Sequence, residues 1–363
     1  MRAPRIARTV AGDIPIAQLG ITMCHEHLLV DQRSVTFSEP DDRRDVELAR
    51  RPVTLDIFGW VQWNWTHNLD NLVLNDEAIA IEEVTAYTVA GGTTLVDCTL
   101  PGIGRDPEAL CRIAKTTGIN LIMGAGYYVE PTYPPHVRDM TEQAITDEIL
   151  SEFRSGVGPS HIKAGVIGEI GSSWPMTDGE RKVFRAAGAA QAELDCGLTI
   201  HPGRHPDSPM EILEVLRGAG ADLSRVIMGH IERTVRNTDL LRKIAAYGTY
   251  IQYDLFGTET TAKFPYRKFR IDIPSDAQRL DQIKELVDSG LEDQILVGHD
   301  VGSKHRTRRY GGVGFDHFLR DIMPWMPERG FTEASIQKLA VGNPARALSL
   351  PAGEAGGHLA AAV

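Results

Sequence analysis

From residue 76 onward the chain repeats one pattern: a stretch with helical spacing of apolar residues, a polar or glycine break, then a short apolar run. Helical periodicity over residues 76–90 stops at Gly91-Gly92, a C-terminal helix signal. Thr93-Thr94-Leu95-Val96-Asp97-Cys98 then reads as a buried strand. Helices over 107–117, 141–154, 178–195, 210–217, 239–247 and 277–289 alternate with strands over 119–124, 164–170, 198–201, 226–230, 249–254 and 295–298. With Gly20-Ile21-Thr22-Met23 added, eight strands are expected. Apolar strands between amphipathic helices belong in a parallel sheet covered on both sides. Eight such units favour an α/β fold closed as a single (β/α)8 TIM barrel over an open doubly wound sheet. Barrels of this kind accommodate 363 residues in one domain, taken here as residues 1–350.

The remaining segments decorate that barrel. Residues 5–30 read as an N-terminal hairpin, with its turn at Gly12-Asp13-Ile14-Pro15, leading into the first strand. Residues 31–75 form an inserted segment after strand one, charged from Asp31 to Arg51 and rich in tryptophan at Trp60, Trp63 and Trp65. Those tryptophans could line one side of an extended stretch, pack on a neighbouring subunit, roof a pocket, or build a satellite core under a long loop. Helices are expected over 315–326 and 332–339. A capped terminal turn is expected at Asn343-Pro344, with proline at the first helical position. Residues 351–363, rich in alanine and glycine, read as a flexible tail.

The polar residues fall where such a barrel does chemistry. Catalytic groups of a barrel sit at the C-terminal strand ends, because the following loops build that face. Those ends carry His25 and His27 on strand one, Glu169 on strand four, His201 on strand five, His230 on strand six and Asp300 on strand eight. Residues i and i+2 of a strand share a face, so the two imidazoles of Cys24-His25-Glu26-His27 would project together. Glu26 and Cys24 face the other way, and Cys24 reads as core. Singly, each residue also fits an ordinary role: Glu169 as a solvated loop acid, His201 as a polar residue before Pro202, His230 and Asp300 as helix caps. Together, four imidazoles and two carboxylates at one mouth have the composition of a two-metal hydrolytic site. HExxH, GxSxG and Walker motifs are missing. Gly311-Gly312-Val313-Gly314 lacks the placement of a dinucleotide fingerprint and reads as a flexible loop over the mouth.

Charge and cysteine usage exclude other classes. A net charge of −11 argues against nucleic acid, which would call for a basic stripe. No stretch reaches the ~20 apolar residues of a membrane span, and Met1 to Arg8 lacks the apolar run of a secretory signal. Cys24, Cys98, Cys111 and Cys196 show no CxxC pair. They read as reduced, mostly buried thiols of a cytoplasmic enzyme.

At these residues the chain resembles the amidohydrolase superfamily, and within it the phosphotriesterase family and its phosphotriesterase-related subgroup. Thr22-Met23-Cys24-His25-Glu26-His27-Leu28 matches the family's HxH segment. Gly168-Glu169-Ile170-Gly171-Ser172-Ser173-Trp174-Pro175, His201-Pro202-Gly203-Arg204, Tyr253-Asp254-Leu255-Phe256-Gly257-Thr258-Glu259, His299-Asp300, Tyr310-Gly311-Gly312 and Asn343-Pro344 match the subgroup. The resemblance implies two divalent metal ions per chain, zinc foremost. His25, His27 and Asp300 would hold the more buried ion, and His201 and His230 the more exposed one. It also implies a homodimer. Many family members bridge the ions with a carboxylated lysine, where this chain has Glu169. Lys163 lies six residues earlier on the same strand, about 20 Å lower at ~3.3 Å per residue, too far to bridge.

The expected activity is hydrolysis of a small-molecule carbonyl substrate, foremost the amide of an N-acylated compound such as N-acetyltaurine or an N-acyl amino acid. The alternative is a lactonase or carboxylesterase, with phosphotriester hydrolysis at most promiscuous. A metal-bridging hydroxide would attack the carbonyl, and Asp300 would carry its proton to the leaving group. Tyr128, after strand three, matches a tyrosine placed over the substrate in related lactonases; it also reads as rim packing. Arg204 suits an anionic sulfonate or carboxylate. The run Lys304-His305-Arg306 near the mouth reads as solvated.

Overall fold

The computed structural model describes residues 4–259, 261–264 and 269–352, with side chains left aside for 261–264 and 269–271. Its centre is an eight-stranded parallel sheet: β1 Thr22–Glu26, β2 Thr94–Asp97, β3 Asn120–Ala125, β4 Val166–Gly171, β5 Leu198–His201, β6 Val226–Met228, β7 Tyr250–Tyr253 and β8 Ile295–Val297. Each strand pairs with the next in chain order. The two ends of the sheet also meet, since Asp300 N–H donates to the His25 carbonyl at 3.0 Å. Gly298 makes that approach possible: a Cβ there would lie 3.1 Å from the His25 backbone. The expected barrel is the observed one, and every expected strand is present to within a few residues.

Among the described residues, the longer helices on the outside are α1 Glu77–Val89, α2 Pro107–Thr117, α3 Glu142–Arg154, α4 Asp178–Leu194, α5 Ser208–Gly218, α6 Thr238–Ala245 and α7 Asp276–Asp288. Their ends follow from local chemistry. Asp76, Asp106, Thr141 and Asn237 accept backbone N–H groups of the first turns, which satisfies donors that the helix leaves unpaired. Thr177 with Glu180, and Ser275 with Gln278, form reciprocal capping boxes. The apolar faces of these helices and of the strands merge into one continuous core that includes Leu95, Leu121, Ile167, Ile200, Met228 and Ile251.

Four expectations need correction. Gly12–Pro15 is not the hairpin turn but its second strand, paired with Arg5–Thr9, so the chain reverses at Val10-Ala11. The tryptophan-rich stretch is not extended: Phe58–Trp63 is helical, because apolar Ile57, Trp60 and Val61 recur at helical spacing and pack inward. Trp60 joins a satellite core with Val53, Ile57 and Val61, whereas Trp63 is 64% exposed. Helix 315–326 is instead a wide π-turn over Phe318–Ile322 followed by a 3-10 stretch over Met323–Arg329, where Pro324 and Pro327 withhold backbone donors. Asn343–Ala347 is not separately capped. It continues directly from Glu333–Gln337 and Lys338–Gly342, and the Asn343 side chain instead donates to the Glu292 and Ile295 carbonyls. The expected tail lies outside the described residues from 353 onward, as does His358.

Among the described residues no helix is long and apolar enough to cross a membrane. A second hairpin, Thr261–Phe264 with Phe269–Asp272, follows β7; no sequence signal pointed to it.

Candidate metal centre

The six strand-end residues meet at one mouth of the barrel, and five of them are buried; Asp300, with its side chain 25% exposed, is the most open. His25 Nε2 and His27 Nε2 face Glu169 Oε2 at 3.5 and 3.6 Å, and Asp300 Oδ1 at 3.7 and 3.2 Å. The other carboxylate oxygen of Glu169 turns the opposite way, to His230 Nε2 at 2.9 Å and to His201 Nδ1. His201 Nδ1 lies 2.8 Å from His230 Nε2. One carboxylate therefore stands between two groups of donors. Lys163 lies before β4 begins and takes no part.

Strand geometry and a few backbone contortions produce this convergence. His230 and Asp300 adopt left-handed backbone conformations (φ 49° and 54°) that non-glycine residues rarely take. Both lie just past strand ends, where the chain turns its side chains inward, and strain of this kind concentrates at functional sites. His230 occupies the position preceding the short helix Ile231–Thr234, yet its side chain makes no capping bond. Before Glu169, Gly168 (φ +97°) allows no substitute: a Cβ would lie 2.1 Å from the Thr199 carbonyl. After Glu169, the Ser172-Ser173 turn is fastened by buried Glu180, which accepts from Ser173 N at 2.9 Å and Ser173 Oγ at 2.8 Å.

The outer nitrogens of the imidazoles are held by their own partners. Asp254, at the end of β7, is fully buried and accepts from His230 Nδ1 at 2.8 Å, from His230 N at 2.9 Å and from Gln252 Nε2 at 2.8 Å. Its second oxygen lies 3.2 Å from His25 Nδ1. His27 Nδ1 meets Thr99 Oγ1 at 2.9 Å. Protons on Nδ1 of these rings leave the Nε2 lone pairs of His25, His27 and His230 directed inward. Burial opposes ionisation of Asp254 and Glu169, yet the imidazoles around them hold both carboxyls well below the usual carboxylate range. Asp300 is likewise lowered against its burial, chiefly by His27. Glu26, as expected, is no part of the cluster: it accepts from His299 Nδ1 at 2.6 Å and from the His299 and Val301 backbone, securing the loop that carries Asp300.

Does this donor set suit metal? His25 Nε2 is buried and has no hydrogen-bond partner among the described residues, an expensive state for a polar atom that a metal ion relieves. Two donors ~2.1 Å from one tetrahedral ion stand ~3.4 Å apart. The four separations among His25, His27, Glu169 and Asp300 span 3.2 to 3.7 Å. Two triplets, His25-His27-Asp300 and His25-Glu169-His230, bring one ligand atom each within 4.8 Å of one another. The residues fit.

A cleft lined by His27, Tyr128, Glu169, His201 and Asp300 lies above the cluster. Tyr128 reaches His201, with its hydroxyl 3.2 Å from both ring nitrogens, and Arg204 lines the same cleft. Sequence reasoning missed Arg233, which is buried, lines the cleft and points Nη2 at His201 Nε2 at 3.0 Å. Burial and the positive charge of Arg204 lower its pKa to about 10. It also missed Asp254, Thr99 and Gln252, although the strand-end rule that selected Asp300 applies equally to Asp254. The run Lys304-His305-Arg306 is not a solvated stretch. Lys304 pairs with Asp70 at 2.6 Å, Arg306 is buried against the carbonyls of Phe256 and His299, and His305 lines the cleft together with Trp65.

A model of the Phosphotriesterase family matches residues 6–348. This chain belongs to the phosphotriesterase family. It is a metal-dependent hydrolase of that family. The N-acetyltaurine hydrolase of Danio rerio is 42% identical over 94% of this chain and 97% of its own length. The phosphotriesterase-related protein of Nematostella vectensis is 41% identical over 93% of this chain and 97% of its own. Among solved structures, a resiniferatoxin-binding protein from Rhodobacter sphaeroides superposes with a TM-score of 0.91 at 33% identity, covering 96% of this chain and 95% of that one. The fold expected from the strand–helix alternation and the family expected from the HxH and Gly168-Glu169 segments are thus borne out.

Proposed function

We propose that this family member cleaves the amide bond of a small N-acylated anion, an N-acyltaurine or N-acyl amino acid, at a binuclear centre. In this reading His25, His27 and Asp300 would hold one divalent ion and His201 and His230 the other, with Glu169 as the ligand between them. Imidazole and carboxylate donors suit zinc. When bound, such ions supply Lewis-acid polarisation of a carbonyl and a water of lowered pKa.

The chain's own residues do the rest. Asp300, the most exposed of the six, accepts the proton of the attacking water and passes it to the departing nitrogen. Tyr128 donates its hydroxyl to the carbonyl oxygen. Arg204, with Arg233 beside it, receives the anionic end of the substrate, since a planar guanidinium matches carboxylate and sulfonate oxygens. The observation that carries this reading is that Arg204 and Arg233 both line the cleft that holds the Glu169 cluster. The name of a relative 42% identical, an N-acetyltaurine hydrolase, supports the choice of amide.

The test is a screen of the zinc-loaded protein on N-acyltaurines, N-acyl amino acids and uncharged amides of equal size, repeated with Arg204→Ala. The reading requires acidic amides to be preferred, and the substitution to raise KM at least tenfold for them alone. Cleavage of esters or lactones with no measurable amide turnover would overturn it.

A further inference from the structure

His305 lies five residues beyond Asp300, on the loop that follows β8. Its ring lines the cleft above the metal-binding cluster and the cavity next to it. Which ring nitrogen carries the proton follows from its neighbour. Asn71 donates Nδ2 to the Trp65 carbonyl at 3.0 Å, which fixes the orientation of its amide group. Its oxygen, Oδ1, is therefore the atom that meets His305 N at 2.9 Å and His305 Nδ1 at 3.0 Å. A carboxamide oxygen only accepts, so Nδ1 must bear the hydrogen. Ser303 Oγ, 3.1 Å from Nδ1, serves as a second acceptor.

Nε2 is left as a lone pair. It makes no hydrogen bond among the described residues and is not among the buried polar atoms, so it is accessible, on a ring that lines both cavities. Trp65 lies alongside, with ring centroids 6.4 Å apart and planes inclined by 26°. Burial, together with the Arg306 charge, pushes the imidazole pKa down, so the acceptor persists at neutral pH. Arg204, Arg233 and Arg306, which line the same cleft, can only donate. An acceptor among them selects a donor on the substrate.

We propose that His305 accepts a hydrogen bond from the N–H of the scissile amide and so makes the cleft selective for secondary amides over esters and lactones. An ester places an oxygen lone pair where the amide places its hydrogen, and two acceptors repel. The inserted 31–75 segment gains a function by this account: Asn71 sets the tautomer and Trp65 the plane of a specificity-determining ring. The inference rests on the amidase reading for its substrate class.

The experiment uses His305→Phe, which keeps an aromatic ring beside Trp65, in the full-length zinc-loaded protein. Matched secondary amide and ester substrates, with the same acyl and leaving skeletons, are compared. The variant is expected to lose about tenfold or more in kcat/KM on the amide and to stay within about threefold of wild type on the ester. A second measurement takes ester hydrolysis as the reporter and compares inhibition by a secondary amide with inhibition by its N-methylated counterpart, which lacks the N–H. Wild type should bind the secondary amide about tenfold or more tightly, and the variant should show no such gap. Equal losses on amide and ester, or an unchanged inhibition gap, would overturn the proposal. If wild type cleaves no amide, the amidase reading fails, and the inhibition gap still decides the role of His305. His305→Leu, which likewise has no acceptor, carries the same test if the phenylalanine variant does not fold.

Discussion

Asp254→Asn isolates the part that the second-layer carboxylate plays in the metal centre. The Asp254 carboxylate accepts from His230 Nδ1 and from Gln252 Nε2, both at 2.8 Å, from His230 N at 2.9 Å, and lies 3.2 Å from His25 Nδ1. Asparagine keeps the shape but has one acceptor in place of two. Whichever way the amide turns, its NH2 group faces a nitrogen that had been donating. If it faces His25, the ring is driven to the other tautomer, with the proton on Nε2, and Nε2–H cannot bind metal. Each charge-assisted bond contributes about 1.5–3 kcal/mol, and losing one such support to a ligand weakens metal binding about 10–100-fold. Competition with a chelator, read by elemental analysis per chain, measures that shift directly. Melting of the metal-free proteins shows how much of the loss is structural. An Asp254→Asn protein that binds both ions with wild-type affinity would refute the claim that Asp254 sets the His25 and His230 lone pairs.

Three further outcomes are expected. Asp300→Asn should lower kcat about 10²–10⁴-fold, the usual contribution of a positioned acid–base group, and the pH–rate profile should lose its acidic limb. An unchanged acidic limb would assign the proton to another group. Gly168→Ala should destabilise the fold by more than about 3 kcal/mol or prevent folding, because its Cβ would meet the Thr199 carbonyl at 2.1 Å on a backbone at φ +97°; wild-type melting would contradict this.

His317→Gln tests a buried ion cluster away from the centre. His317 donates to Asp276 Oδ2 and Asp321 Oδ2, each at 2.8 Å. Burial works against its charge, but the two carboxylates raise its pKa above the ordinary value. Its contribution is therefore full below the unfolded pKa of about 6.5 and is lost as pH rises through the raised folded value. Asp276, held low despite its burial, loses its part only as pH falls through that depressed value. The variant should be less stable by about 1.5–3 kcal/mol near pH 6, and the difference should shrink above the raised His317 pKa. A pH-independent difference in denaturation midpoint would speak against the charged pair.

Much of this molecule was legible in its sequence, and the boundary of legibility has physical causes. Barrel strands announce themselves because both faces are buried, which removes the polar alternation of an ordinary sheet. Strand ends then located His25, His27, Glu169, His201, His230 and Asp300 by position alone. Asp254 obeys the same rule, but it holds His230 and His25 from behind, and a single sequence does not separate the two layers. Arg233 was hidden because it reaches the cleft from the short helix Ile231–Thr234, past the strand end. His305 was misread because a cationic run looks solvated until Asn71, Asp70 and the carbonyls of Phe256 and His299 are placed around it. Outside residues 57–61 the 31–75 insert carries little periodicity, so tertiary contacts rather than local pattern decide its shape.

The measurement that bears most directly on the account is metal stoichiometry and turnover in Glu169→Gln against wild type. Glutamine keeps one acceptor oxygen but cannot present two carboxylate oxygens to the two donor groups, His25 with His27 and His201 with His230. Wild type reconstituted with zinc should hold two ions per chain and lose activity on chelation. Glu169→Gln should hold one or fewer, with turnover reduced at least about 10²-fold on every substrate, as expected when a metal centre comes apart. A Glu169→Gln protein with two tightly bound ions and near wild-type turnover would contradict the bridging role on which the account depends.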